Sequence, residues 1–351
     1  MSEPIISAMT NPSWPTAGSV QGDRRSTRRP RVSLGTWPTP LEPAPRLAAA
    51  LHLGPDDLWI KRDDLSSLGS GGNKIRKLEW TLGAALADGA DTVVTTGAPQ
   101  SNHARLTAAA AARLGLTAVL VFPGGPDDSH SGNLALDGLF GARVAWAGDV
   151  ERATVNRVAE DIVAELRADG RRPALLPFGG SNAVGALGYV ESARELLDQS
   201  SDFQTAVVAL GSGGTMAGLI AELGPHRVLG VDTGALGDPL QVVAELASQV
   251  SGTTIGIEQL RVRREQVGAG YSHFTDPAAE ALSLVARTEG IVLDPVYTGR
   301  AMAGLIAAVK DGTIRPGERT VFFHTGGLPG FFGNPHAVSH AEAQLVVHPT
   351  P

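Results

Sequence analysis

Short runs rich in apolar and β-branched residues alternate with amphipathic stretches along most of this chain, and that alternation limits the available folds more than any other feature. The runs are Leu58 to Lys61, Thr92 to Thr96, Ala118 to Phe122, Arg143 to Ala147, Ala174 to Pro177, Ala206 to Leu210, Val228 to Asp232 and Thr320 to His324. Strands separated by helical stretches predict a parallel α/β architecture. Between them, Lys74 to Asp88 sets Ile75, Leu78, Leu82, Ala85 and Leu86 on one face at helical spacing, with Lys74 and Lys77 on the polar face. Glycine-rich junctions sit at strand ends: Gly179-Gly180-Ser181-Asn182, Gly211-Ser212-Gly213-Gly214 and Gly326-Gly327. Open α/β sheets bind ligands at such ends, beside helix N-termini. At 351 residues and 42% hydrophobic content, the chain can form two lobes sharing one cleft. Residues 1–32 combine Pro, Ser, Thr and the basic cluster from Asp23 to Arg29 without periodicity, which predicts a mobile tail.

Composition removes several classes of function. The net charge is −7 and the basic residues are scattered, so the basic stripe that attracts nucleic acid is missing. No apolar run approaches the roughly 20 residues that cross a bilayer, and the first residues do not read as a secretory signal. The expectation is a cytoplasmic protein without membrane or nucleic-acid partners. There is no cysteine, which excludes disulfides and a catalytic thiol, and the nine histidines form no tight ligand pair. No metal is expected.

Four segments carry chemistry. Gly69 to Glu79 is a glycine loop that delivers Lys74 to a helix start. The positive end of the helix dipole, with Arg76 and Lys77 nearby, favours the neutral amine, the form that attacks an aldehyde to give an imine. A solvated lysine at a helix terminus would look the same in isolation. Gly211-Ser212-Gly213-Gly214-Thr215 follows an apolar strand and precedes a helix. Its bare backbone amides and two hydroxyls suit a phosphate, although a tight turn would have the same composition. The dinucleotide pattern fails, because Met216 stands where its third glycine belongs. Gln100-Ser101-Asn102-His103 leads into an alanine-rich helix that Ser101 can cap, and the first-turn amides with Asn102 could hold a carboxylate. Leu293 to Arg300 brings Tyr297 to a helix start, as a proton carrier or as a core tyrosine. After Phe322-Phe323, Thr325 can reach the cleft, whereas His324 reads as structural.

Taken together, these segments resemble the D-cysteine desulfhydrase and 1-aminocyclopropane-1-carboxylate deaminase family of pyridoxal-phosphate enzymes. The resemblance runs from about Leu34 to Phe332. It rests on Leu34 to Leu41, Ile60 to Leu65, the Lys74 segment, Gln100 to His103, the loop at Gly211, Gly270-Tyr271, Asp294 to Met302 and the Thr325 segment. It implies two open, twisted, mainly parallel sheets flanked by helices, tryptophan-synthase-β-like, with the cofactor cleft between domains. The large cofactor-binding domain would comprise residues 33–83 and 184–351, and the small domain 84–183. It also implies a homodimer and pyridoxal 5′-phosphate held as a Schiff base on Lys74. Asn102 would contact the ring hydroxyl, and Lys77 with Gly211, Ser212, Gly213, Gly214 and Thr215 would bind the phosphate. Thr298 and Thr325 would lie beside the cofactor, where cyclopropane-opening members are expected to carry Glu and Leu. That difference resembles the desulfhydrase branch.

The resulting expectation is α,β-elimination on a small amino acid, with D-cysteine giving pyruvate, hydrogen sulfide and ammonia. The freed Lys74 would remove the α-proton, Ser101, Asn102 and His103 would hold the carboxylate, and Tyr271 and Tyr297 would position or protonate the leaving group. The rivals are the cyclopropane deaminase, an L-cysteate sulfo-lyase, and a non-catalytic sensor that holds the cofactor.

Overall fold

The computed structural model describes residues 30–126 and 131–346. Ten strands form two sheets: β1 (Leu41–Pro43), β2 (Leu58–Lys61), β3 (Thr92–Thr96), β4 (Thr117–Phe122), β5 (Arg143–Trp146), β6 (Pro173–Leu175), β7 (Thr205–Leu210), β8 (Val228–Asp232), β9 (Arg261–Arg263) and β10 (Thr320–Phe323). The first half of the chain carries helices α1 (Pro45–Ala50), α2 (Lys74–Ala87), α3 (Asn102–Leu114), α4 (Gly132–Leu139), α5 (Arg152–Ala168) and α6 (Ala183–Gln199). The second half carries α7 (Gly214–Leu223), α8 (Pro239–Ser251), α9 (Asp276–Glu289), α10 (Thr298–Lys310), α11 (Leu328–Phe332) and α12 (Pro335–Glu342).

The larger sheet runs β1-β2-β10-β7-β8-β9 and the smaller β5-β4-β3-β6. Every pairing is parallel except β1 with β2. The central strands are apolar on both faces because helices cover both. On β7, Val207 and Ala209 enter one core while Ala206, Val208 and Leu210 enter another. On β3, Val93 and Val94 likewise face opposite cores. The expected architecture is present. Two short edge strands, β1 and β9, lie outside the expected runs.

The chain leaves the larger sheet after β2, and α2 precedes the smaller sheet, packing against α3 and α6. Polar contacts fix it there. Arg76 donates to Asp63 (2.8 Å) and Glu195 (2.9 Å), both in a buried network with Lys61 and Tyr189. Glu79 accepts from the backbone of Leu34 and Gly35 and from Trp37, and pairs with Arg31. Arg31 and Val32, which the sequence assigned to a mobile tail, are docked, the latter by its amide on the Glu79 carbonyl. The basic cluster from Asp23 to Arg29 lies outside the described residues.

Candidate active site

Glycines with positive φ at 69, 71 and 72 turn the chain sharply into α2. At Gly71 a Cβ would fall 1.8 Å from the Asp64 carbonyl oxygen, so only glycine fits. The turn sets Lys74 at the first helical position. Its Nζ lies 3.2 Å from the Gly179 carbonyl and 3.4 Å from Ser212 Oγ, with no carboxylate bonded to it among the described residues. Burial lowers its pKa to about 8. That cause corrects the expectation that Arg76 assists, because Arg76 faces away and is neutralised by Asp63 and Glu195. A neutral amine is thus accessible near neutral pH, as attack on a carbonyl carbon requires.

One turn on, Lys77 is fully buried, with Nζ 3.0 Å from Ser181 Oγ. Burial first, and the adjacent Lys74 second, push its pKa well below normal. Both lysines converge on the loop between β7 and α7. A Cβ on Gly214 would meet Ser181 Oγ at 2.7 Å and Lys77 Nζ at 3.2 Å, and one on Gly211 would meet Tyr297 at 3.0 Å. Glycine therefore leaves the backbone bare at the start of α7. Asn73 donates to Thr215 Oγ1 (3.0 Å), and Ser181 and Ser212 share a hydroxyl contact at 2.7 Å. Lysines without carboxylate partners, together with bare backbone amides at a helix N-terminus, suit an anion such as a phosphate.

The site opens as a cavity of about 240 Å³ lined by Lys74, Ser101, Asn102, His103, Phe178, Ser212, Tyr271 and Tyr297 among others. An adjoining lobe of about 20 Å³ is lined by Asn73, Asn102, Gly211, Ser212, Gly213, Thr215, Tyr297 and Thr325, with Lys74 common to both. Among the described residues no carboxylate lines either. Ser101 caps α3, its Oγ accepting the Ala104 amide at 3.2 Å. Asn102 Oδ1 accepts from Asn133 Nδ2 (3.0 Å), which fixes the amide at the cavity wall. His103 is buried, with Nε2 3.1 Å from Thr95 Oγ1 and Nδ1 without a protein partner. Burial, then Lys74 and Lys77, hold it well below its ordinary pKa and so neutral.

Opposite stand two of the chain's three tyrosines, Tyr271 and Tyr297, with their hydroxyls in direct contact. Burial raises both phenol pKa values, so both remain protonated. Asp294 positions this wall by accepting the Val296, Tyr297 and Thr298 amides at the start of α10. Thr298 is not brought to the cavity. It is fully buried, and its hydroxyl donates to Asp294 Oδ1 at 2.7 Å. Thr325, by contrast, lines the adjoining lobe, as does Thr215. His324 sits in the core, with Nε2 3.1 Å from the Val292 carbonyl oxygen and Nδ1 accepting the Gly326 amide, as read from sequence.

Sequence reasoning missed Asn73, Ser181, Asn133 and Arg152. Asn73 and Ser181 lie within motifs that were singled out and could have been found there. Asn133 and Arg152 carry no local signal. The lysine count, four in the whole sequence, also singles out Lys74. Lys61 is bonded to Glu195 and Gln199, Lys77 lies behind the glycine loop, and Lys310 is on the surface.

A half-buried amine of lowered pKa, a bare anion cradle and a cavity without carboxylates among the described residues, set in a fold of two mainly parallel sheets, suit an enzyme that binds an anionic cofactor. The chain belongs to the pyridoxal-phosphate-dependent enzyme family, whose model matches residues 32–326, within its D-cysteine desulfhydrase and 1-aminocyclopropane-1-carboxylate deaminase branch. It is a lyase of that branch, and its cofactor is pyridoxal phosphate. It is 41% identical to a D-cysteine desulfhydrase of Klebsiella pneumoniae, over 88% of this chain and 98% of that one. It is 38% identical to a putative 1-aminocyclopropane-1-carboxylate deaminase of Pyrococcus furiosus, over 86% and 93% respectively. A solved structure described as a homologue of that deaminase superposes with a TM-score of 0.81 at 37% identity, covering 89% of this chain and 96% of the other. No helix among the described residues is long and apolar enough to cross a membrane.

Proposed function

We propose that the protein catalyses α,β-elimination on a small β-substituted amino acid, with D-cysteine the first candidate, yielding pyruvate, hydrogen sulfide and ammonia. The observation that carries this reading is Lys74: an amine without a carboxylate partner, its pKa lowered to about 8 by burial, facing a protonated tyrosine pair across one cavity. Pyridoxal phosphate, when bound, supplies an aldehyde for the amino group and a ring that withdraws electrons from Cα. Lys77 and the loop from Gly211 to Thr215 would hold its phosphate, and Asn102 and Thr325 would flank its ring.

The protein's own groups then divide the work. Ser101 and the first amides of α3 hold the substrate carboxylate, which orients the Cα–H bond toward Lys74. Lys74 Nζ takes that proton as base. Tyr271 and Tyr297 face the β-substituent and can deliver a proton as it departs. His103, neutral and hydrogen-bonded to Thr95, supports the carboxylate wall by packing rather than by charge.

The reading for cyclopropane opening rests on relatives of nearly equal identity. Thr325, which lines the adjoining lobe at a position where cyclopropane-opening enzymes are expected to carry Leu, favours elimination instead. Release of 2-oxo acid separates the two: pyruvate from D- and L-cysteine, β-chloroalanine and cysteate, and 2-oxobutanoate from the four-carbon cyclopropane substrate. The elimination reading expects D-cysteine and β-chloroalanine to be consumed; turnover confined to the cyclopropane substrate would refute it. The same reading takes the protein to be a cytoplasmic homodimer, which sedimentation of the holoenzyme tests for assembly.

A further inference from the structure

Arg152 is the first residue of α5 and leaves the smaller sheet's side to reach the cavity. Its guanidinium carbon lies 4.3 Å from the centre of the Phe178 ring, and one terminal nitrogen donates to the Ala235 carbonyl at 2.5 Å, just beyond β8 of the larger sheet. Stacking and this bond fix a group with five N–H donors while occupying only one of its nitrogens. No carboxylate pairs with it among the described residues, and none lines the cavity. Its charge is felt at both Tyr271 and Tyr297, where it opposes the upward push of burial.

Three anion-binding features thus meet in this site. Lys77 with the glycine loop takes a phosphate, and the start of α3 at Ser101 takes a carboxylate. Arg152, beside the tyrosine wall, has no anion assigned to it. Building on the elimination reading, we infer that Arg152 selects substrates whose β-substituent is negatively charged, a sulfonate or a thiolate, over neutral ones of similar size. In the elimination, the Cα proton passes to Lys74 Nζ, and the Cβ–S bond breaks with its electron pair leaving on sulfur, as sulfite from a sulfonate or, with a proton from the tyrosine pair, as hydrosulfide from a thiolate. Water then hydrolyses the released enamine to pyruvate and ammonia. Arg152 faces that sulfur group both before and after the bond breaks. Because the side chain stands at the exposed mouth, solvent moderates its effect to about tenfold to hundredfold in affinity.

The holoenzyme can be titrated with aspartate and with alanine, both enantiomers of each, following the absorbance of the bound cofactor. Neither has a β-group that leaves readily, and they differ in the β-carboxylate. Wild type should bind aspartate at least about tenfold more tightly than alanine. The ratio should fall toward one in Arg152→Gln and be partly retained in Arg152→Lys, and it should shrink as salt rises. A wild-type ratio near one, or a ratio that survives in Arg152→Gln, overturns the inference. In turnover, the ratio of kcat/KM for cysteate over β-chloroalanine should drop about thirtyfold in Arg152→Gln. Pyruvate from β-chloroalanine with that ratio unmoved defeats the role of Arg152 alone. No pyruvate from any substrate defeats the elimination reading, while the binding ratio still decides the role of Arg152.

Discussion

Basic side chains on opposite faces of the first turn of α2 meet opposite surroundings. Arg76, with Lys61 from β2, enters a network with Asp63, Glu195 and Tyr189 in which charges meet at hydrogen-bond distance. Lys74 and Lys77 face the other way and meet only hydroxyl and carbonyl oxygens. Burial alone would lower the Arg76 pKa, yet Asp63 and Glu195 raise it, whereas burial prevails at Lys74 and Lys77; it prevails at Lys61 too, in spite of Glu195, so the carboxylate partner and not the pKa separates the two sets. A buried cation with its own carboxylates holds the fold, and one without them awaits a ligand. The difference locates the site more sharply than the glycine motifs do.

The contrast breaks most visibly at Asp63. Replacing it with Ala leaves Arg76 with Glu195 as its one carboxylate partner and Tyr189 without its acceptor, and should cost about 3–5 kcal/mol, read as a fall in the urea midpoint of the apoprotein. Lys77→Met should act in the other direction. The apoprotein should unfold no more easily, because a desolvated amine has been removed, while the Kd for pyridoxal phosphate rises about tenfold to hundredfold. An apoprotein destabilised as strongly as by Asp63→Ala would put Lys77 in the structural set.

Stability against pH sharpens the comparison further. Lys74 has a folded pKa of about 8 against an ordinary 10.5. Between those values the unfolded chain binds more protons, so apoprotein stability rises as pH increases through that window. The gain should be about 1–2 kcal/mol after allowance for water in the cavity, and Lys74→Met should lack it. Asp63 behaves in the opposite sense. Burial would raise its pKa, but Arg76, Tyr189 and Lys61 outweigh burial and lower it, so its contribution is lost as pH falls below the usual carboxylate range.

Much of this was legible in the sequence because central parallel strands are apolar on both faces and announce themselves as runs, as Ala206 to Leu210 does. The edge strands Leu41–Pro43 and Arg261–Arg263 are too short to show a period, and pairing with a neighbour defines them. Lys74, Ser101, Asn102 and the loop at Gly211 were readable because turn and cap chemistry is local. That Thr298 turns to Asp294 and does not line the cavity was not legible, because that contact depends on how α10 begins. Arg152 stayed hidden because only the crossing of two sheets brings it to Phe178 and Ala235.

The most direct test asks which amine takes the aldehyde. Holoenzyme reduced with borohydride and digested should carry the cofactor's mass on the peptide bearing Lys74, and the Lys74→Ala variant should carry none and release no pyruvate. A tag on the peptide of Lys61 or Lys310, or undiminished turnover in Lys74→Ala, would contradict the account.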